Sequence, residues 1–434
     1  MEWWLSGSLM FLAFIACLVI GIPVAFSLGM VATVAVFILF GTGGFEIIAS
    51  TAYGVCTSFV MIAVPLFIFM GELIMASGIS AKAFRAIDAW FGRVRGGTAV
   101  SSVAATTVFG AVTGFSPASC AAIGSISIPE MLKRNYDKGL AIGAVGGGAC
   151  LAILIPPSLL MIIYGQLAGV SVAGLFYGGI IPGLIGSCFF IAYIVTRATL
   201  NRSLVPWQTQ VSWGERLKLS LHILPLVLLI LLVLGTIWGG IATPTEAAGL
   251  GALGAASLLV ASGWYNWATV SRLLNNTVRL TGMLLMVLIA ANIFTQILAY
   301  VGFTLNFGKL IAGLEISRWV IVAGMQTIIM FLGCFIDPGS ILFILTPIYV
   351  PIIVNLGFDP LWFGIVLMIN LELATITPPV GLNLYVLKSI VGERASFADI
   401  VMGVAPYWGL HFLLLVVVML FPPLATWLPS LRPM

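Results

Sequence analysis

Apolar residues run along this chain in blocks of about twenty, closed off by short charged or Gly/Pro-rich stretches, and a block of that length crosses about 30 Å of hydrocarbon as a helix. Bounding the blocks this way predicts spans at 4–20, 24–41, 51–77, 138–168 and 173–199 in the first half, and at 219–238, 245–263, 278–301, 360–388 and 403–429 in the second. Two segments, 97–132 and 317–353, are about twice span length and are interrupted by TGFSPAS (113–119) and CFIDPGS (334–340), both with turn chemistry. Each reads as a re-entrant hairpin. The arms 98–112 and 120–132 are short, and the first is rich in Ser, Thr, Gly and Ala, which suits close packing against protein rather than lipid. Irregular backbone at membrane depth is tolerated where protein buries it or where it lines a cavity.

The two halves also match each other. At an offset of 222 residues GACLAILIPPSLLMIIY (148–164) lies on NLELATITPPVGLNLYV (370–386), and upstream Phe109 lies on Phe331, Ile126 on Ile348, Pro129 on Pro351 and Asp137 on Asp359. Proline breaks helices, so its recurrence at fixed spacing points to a tandem duplication. The expected organisation is a first repeat over 1–200, a linker over 201–218 and a second repeat over 219–434. Each repeat carries one hairpin (97–132, 317–353) and one broken helix (138–168, 360–388). In a membrane protein, paired apolar segments interrupted at corresponding places point to a transport site.

Composition agrees with the pattern. The chain is 61% hydrophobic and 7% charged, against about 25% charged residues in soluble domains. Its first apolar run lacks a basic leader and a small-residue cleavage site, and reads as a first helix. A hairpin and a pair of crossings return the chain to the same side, so each half crosses an odd number of times and the repeats are inverted. Fifteen of the eighteen basic residues then fall on one face, leaving Lys309, Arg318 and Arg432 on the other. The positive-inside rule makes the crowded face cytoplasmic and puts both termini outside. The fold expected is an all-α polytopic membrane protein of inverted repeats, each with about five transmembrane helices and one re-entrant hairpin.

The paired prolines carry the sharpest chemistry. Pro156-Pro157 and Pro378-Pro379 remove backbone donors in mid-span, so carbonyls such as those of Ala152, Ile153, Ala374 and Thr375 lose helical partners and become ligands suited to a hard cation such as Na⁺. Substrate is expected between the hairpin tips, where helix N-termini and the hydroxyl or amide groups of Ser116, Ser119, Ser340, Thr377 and Asn383 can meet carboxylate oxygens. Asp337 at the second tip is either functional or the cap of the helix that begins at Pro338. Glu72, Glu246 and Glu372 also lie in or near spans, Glu246 with the spacing of a capping box after Thr243. The six cysteines have no metal-ligand spacing and read as small hydrophobes. No zinc-protease motif, intramembrane aspartate pair or Ser/His pair suggests an enzyme. The basic amphipathic stretch 80–96 and its counterpart 303–319 read as interfacial helices.

LIPPSLLMIIYG, ITPPVGLNLYV and ATPTEAAGLGA, with FGAVTGFSPASCAAIGSISIP, resemble the large membrane subunit of the tripartite ATP-independent periplasmic (TRAP) transporters, and the likeness covers essentially the whole chain. The resemblance implies an elevator-type ion-transporter fold in the bacterial inner membrane, with Na⁺ as the coupling ion and no organic cofactor. It implies import of an organic anion delivered by a periplasmic solute-binding protein, alongside a small four-helix membrane subunit, and no dealings with nucleic acid. Carried over residue by residue, one sodium site uses Gly110, Thr113, Ala152, Ile155 and Pro157, and its mate uses Gly333, Ala374, Thr377 and Val380. The substrate set is Ser116, Pro117, Ser119, Asp337, Ser340, Pro156, Pro378 and Asn383, and the binding protein docks near Lys309, Glu315 and Arg318. This sequence departs from the family pattern at Ala152 and Ala374, where the family usually has Gly, and at Phe115, where it often has Ser. A self-sufficient sodium/dicarboxylate-type symporter would share the hairpins and breaks.

Overall fold

A computed structural model describes residues 2–205, 211–263, 265–313 and 316–431, and within them every regular element is a helix. Glu315 and Arg432 lie outside the described residues. Among the described residues, seven helices are long and apolar enough to cross a membrane, with shorter apolar helices between them. The shorter ones include Trp3–Val19 and four pieces that flank the hairpin turns and proline pairs: Gly97–Thr113, Leu159–Ala168, Arg318–Gly333 and Pro360–Thr375.

Both predicted hairpins form. Gly97–Thr113 turns at Gly114, φ +61, into Ser116–Lys133, and Arg318–Gly333 turns at 334–337 into Pro338–Asn355; in each case the two arms pack on one another. Both broken helices form as well. Lys138–Ala149 and Leu159–Ala168 flank the first proline pair, Pro360–Thr375 and Leu382–Val391 the second, and the bonds Pro156-Pro157 and Pro378-Pro379 are cis. Each hairpin packs on the broken helix of its own half. The second arm of each also packs on the far half of the other broken helix, Ser116–Lys133 on Leu382–Val391 and Pro338–Asn355 on Leu159–Ala168. That crossed pairing is what a two-fold relation between duplicated halves produces.

Around this unit stand the longer helices. Pro244–Ser262 packs on Ala63–Ala76, and Trp267–Tyr300 packs on Val24–Phe40 and Ala63–Ala76. The first of these contacts is close because Ala247, Ala248, Gly251 and Ala255 present small buried side chains to it. Its start is fixed by a capping box: Glu246 N–H donates to Thr243 Oγ1 (3.3 Å) and Thr243 N–H to Glu246 Oε2 (2.8 Å). The stretches expected to lie along the interface form the helices Ile79–Phe91, against the first hairpin, and Phe303–Ala312, against the second arm of the other. Arg134, just past the first hairpin, pairs with Asp88 of Ile79–Phe91 at 3.0 Å and with Glu130 at 2.9 Å, tying the hairpin base to that helix.

Several boundaries differ from those read off the apolar runs. Val24–Phe40 continues through a 3₁₀ turn at Gly41–Gly43 into Gly44–Thr57, so the interruption expected near residue 41 falls instead at Ser58, whose backbone is extended. The helix expected at 278–301 is Trp267–Tyr300, begun by Asn266, whose Oδ1 accepts from Thr269 N–H at 2.7 Å. Its polar first turns ended the apolar run but not the helix. The span expected at 219–238 is two helices, Trp213–Ser220 and Leu224–Trp238, bent by 45°.

Candidate functional site

At the first break, residues 150–155 leave the α-helical ladder for tighter turns: Leu151 N–H reaches Gly148 O (3.2 Å) and Ala152 N–H reaches Ala149 O (3.0 Å). The carbonyls of Ala152 and Ile153 accept no backbone hydrogen bond. At the second break Thr375 O is likewise free, whereas Ala374 O, expected to be free, accepts from Thr377 N–H at 3.2 Å. The chain turns tightly enough there for a three-residue bond to replace the one that Pro378 cannot make.

Each hairpin tip is seated on the break of its own half. Gly110 lies directly against Ala152 and Gly333 against Ala374, close enough that a Cβ on either glycine would overlap the alanine. Thr113 Oγ1 donates to Phe109 O (3.1 Å), and the Gly114 turn lies over the backbone of Pro157 and Ser158. On the other side Val380 N–H donates to Cys334 O at 3.2 Å, and Thr377 Oγ1 donates to Leu373 O (2.7 Å) while accepting from Trp408 Nε1 (2.9 Å). Ile155 is half-buried beneath Gly183. The two breaks differ in cover. Pro156, Pro157 and Ser158 are buried, whereas Pro378, Pro379 and Val380 are exposed.

Between the hairpin tips and the long helices lies a cavity of about 350 Å³. The first tip supplies Thr113, Phe115, Ser116 and Pro117, the second supplies Asp337, Pro338 and Gly339, and the breaks supply Ile153, Leu159, Thr375 and Leu382. Its far wall is Ile68, Glu72 and Met75 with Leu280, Met283 and Leu284. Two helices, Ser116–Lys133 and Pro338–Asn355, begin at the tips, so their free N–H groups and the positive ends of their dipoles face the space between them. None of the lining residues is basic, and two are acids. Glu72 Oε2 accepts from Asn276 Nδ2 (3.1 Å), and Asp337 caps its helix, accepting from Ser340 N–H (2.9 Å) and Ser340 Oγ (2.6 Å). Asp337 thus both caps the helix and faces the cavity.

Of the residues expected to touch substrate, Ser116, Pro117 and Asp337 line this cavity. Ser119 is buried and bonded to Ser116 O (3.0 Å), Ser340 is held by Asp337, Asn383 is buried and bonded to Thr375, Pro156 is buried, and Pro378 is exposed outside the cavity. Lys309 and Arg318 are exposed on the Phe303–Ala312 side, with the Arg318 guanidinium over the Phe358 ring at 5.0 Å. Sequence reasoning missed the far wall. Glu72 in an otherwise apolar run was its one visible signal, because Leu280, Met283 and Leu284 look like any lipid-facing side chains.

Residues 11–424 match the family model described as the DctM component of the tripartite ATP-independent periplasmic transporter. The chain is 32% identical to the C4-dicarboxylate TRAP transporter large permease protein DctM of Vibrio cholerae, over 98% of each chain. It is 29% identical to the ectoine TRAP transporter large permease protein TeaC of Halomonas elongata over 98% of this chain and 99% of that one. It is 31% identical to the isethionate TRAP transporter permease protein DctMQ of Oleidesulfovibrio alaskensis, covering 87% of this chain and 59% of the relative. The solved YdaH transporter of Alcanivorax borkumensis shares the fold, with a TM-score of 0.61 at 16% identity over 89% of this chain and 91% of that one. Family model, relatives and fold agree with a tip-and-break cavity inside a multi-pass helical protein: the chain belongs to the large permease subunits of the TRAP transporters.

Proposed function

We propose that this subunit is the membrane path of a sodium-coupled importer of an organic anion, a carboxylate or acidic sugar, working in the bacterial inner membrane with both termini outside. The observation that carries the coupling is the cavity: it offers helix N-termini and hydroxyls to anionic oxygens and contains no basic side chain among its lining residues. Compensating positive charge then has to arrive with the substrate. The two helix breaks, with free carbonyls beside the seated tips, are where Na⁺ binds, through Gly110, Thr113, Ala152, Ile155 and Pro157 at one and Gly333, Ala374, Thr377 and Val380 at the other. Substrate meets Ser116, Pro117 and Asp337 directly, with Ser119, Ser340, Asn383, Pro156 and Pro378 shaping the tips behind them.

The hairpins and broken helices interlock with each other, and the interfacial helices brace them against the long helices, an arrangement suited to elevator motion of one unit against a static one. Substrate capture is delegated to a periplasmic binding protein docking at Lys309, Glu315 and Arg318, and a small four-helix subunit completes the complex. The substrates named for the relatives, a C4-dicarboxylate, ectoine and isethionate, support a small organic solute as the cargo. The test is uptake by proteoliposomes holding this chain, its small partner subunit and its binding protein. Replacing external Na⁺ by choline should abolish accumulation, and undiminished uptake would refute the coupling. Efficient uptake without the binding protein would favour a self-sufficient symporter.

A further inference from the structure

Glu372 sits two residues before Ala374 on the second broken helix, fully buried, with Ser116 and Ile153 of the first half among its neighbours. Its carboxylate lies close enough to the Ser116 hydroxyl, the Thr375 hydroxyl and the Ile153 backbone to interact with all three. Thr375 Oγ1 donates to Glu372 O at 2.7 Å, stands 3.3 Å from Glu372 Oε2, and accepts from Asn383 Nδ2 at 2.9 Å. Asn383 Nδ2 donates to Thr375, and the Asn383 Oδ1 accepts no hydrogen bond. Glu372 Oε1, Asn383 Oδ1 and Ser116 Oγ are all buried without a hydrogen bond of ordinary geometry. Ser116, Thr375, Asn383 and Glu372 are each at least 98% buried. The cluster therefore has surplus acceptor oxygens and no cation: no Lys, Arg or His is among the groups acting on the carboxylate.

An ionised carboxylate buried alone is expensive, so a structure that retains one pairs it, gives it an ion or leaves it a proton. The duplication shows that this cluster is not simply part of the shared framework. At the 222-residue offset Glu372 corresponds to Cys150, Thr375 to Ile153 and Asn383 to Met161, so every polar member contributed by the second broken helix is apolar or a thiol in the first. The two breaks come together here, with Cys150 Sγ of the first 3.6 Å from Thr375 Oγ1 of the second. The cluster is thus a single, unsymmetric feature placed between the two symmetric breaks. Two of its members, Ser116 and Thr375, form part of the cavity wall and give it access.

We infer that Glu372, Thr375, Asn383 and Ser116 form a third site for a monovalent alkali cation, Na⁺ in the working transporter, under the floor of the substrate cavity. All four offer oxygen, the donor atom of hard cations. One carboxylate matches one positive charge, and no group of three His, Cys, Asp or Glu side chains that would hold a multivalent ion occurs among the described residues. Ser116 also faces the cavity, so an ion here fixes the hydroxyl at the first hairpin tip and makes the substrate wall depend on sodium. The inference rests on the sodium-coupled reading above and adds one ion to it.

The experiment counts sodium. Equilibrium binding of radioactive ²²Na⁺ to purified protein in nanodiscs is compared for the native chain, Glu372→Gln and Asn383→Leu. Glu372→Gln should bind one Na⁺ fewer per chain and lower the Hill coefficient of uptake against Na⁺. Asn383→Leu keeps the charge but removes one ligand, and should keep the count while weakening one component about tenfold. Should Glu372→Gln fail to fold, the Asn383→Leu titration alone decides, and an unaltered binding curve would overturn the site. A native chain that binds Na⁺ alongside a folded Glu372→Gln that binds the same number would overturn this inference and leave the coupling intact. A native chain that binds none would overturn both. An unchanged count together with altered pH dependence of uptake would give the carboxyl a proton instead, and would also overturn the sodium assignment.

Discussion

Gly110 and Gly333 occupy equivalent contacts, one hairpin tip on one helix break, but the atoms in their way differ. A Cβ on Gly333 would strike the Ala374 methyl, with the Ala374 Cα next at 3.3 Å, whereas a Cβ on Gly110 would strike both the Cα and the methyl of Ala152. Ala152 and Ala374 are accommodated because a glycine faces each. Overpacking a site of this kind costs about 1–3 kcal/mol. Gly333→Ala should therefore lower the thermal midpoint of the purified protein, and adding Ala374→Gly should recover most of the loss. Gly110→Ala should do equal or greater damage that Ala152→Gly does not repair. Equal rescue in both halves would show that the backbones are not in contact at the first break. Single residues were unevenly legible in the sequence. Thr243 and Glu246 declare a capping box by spacing alone, and Asp337 before Pro338 declares a cap. Glu372 could be seen as an acid in a span, but its neighbours include residues 116 and 153, which no local pattern joins to it.

Helices were legible where a chemical rule ends them and less so where only hydropathy does. The hairpins and broken helices follow from Gly and Pro placement and appear as expected, because a missing donor or a left-handed turn stops a helix whatever its surroundings. Trp267–Tyr300 starts eleven residues before its expected boundary because hydropathy marks where lipid ends and not where hydrogen bonding does. The hairpins carry a directional prediction. Asn135, in the turn after the first, has φ +58 and is exposed, and Asn355 closes the second and is exposed. In a variant without native cysteines, Asn135→Cys should react only with impermeant thiol reagents delivered to the cytoplasm, and Asn355→Cys only with those delivered from outside. The division of basic residues between the two faces is the motive. Labelling of both from one side would mean that the repeats are not inverted.

The molecule as a whole was readable to the extent that duplication made it so. An offset of 222 residues, fixed by three prolines, implies two equivalent units, and the crossed packing of hairpins on broken helices follows from it. What the offset could not show is the far wall of the cavity, since Ile68, Glu72, Leu280 and Met283 come from helices whose partners are set by shape and not by repeat. That cavity, acidic and without a base, has a thermodynamic corollary. Where the protein supplies no fixed positive charge, ion and solute are each part of the other's binding site, and the factor by which one tightens the other must be the same in both directions. Calorimetric titration of substrate in sodium and in choline, and of sodium with and without substrate, should return one coupling factor, on the order of 5–150-fold for ordinary linkage. A solute that binds equally well in choline would place its countercharge elsewhere. If the factor holds, sodium concentration outside the cell sets the apparent affinity for the nutrient, so the same protein is a tighter scavenger in brine than in fresh water.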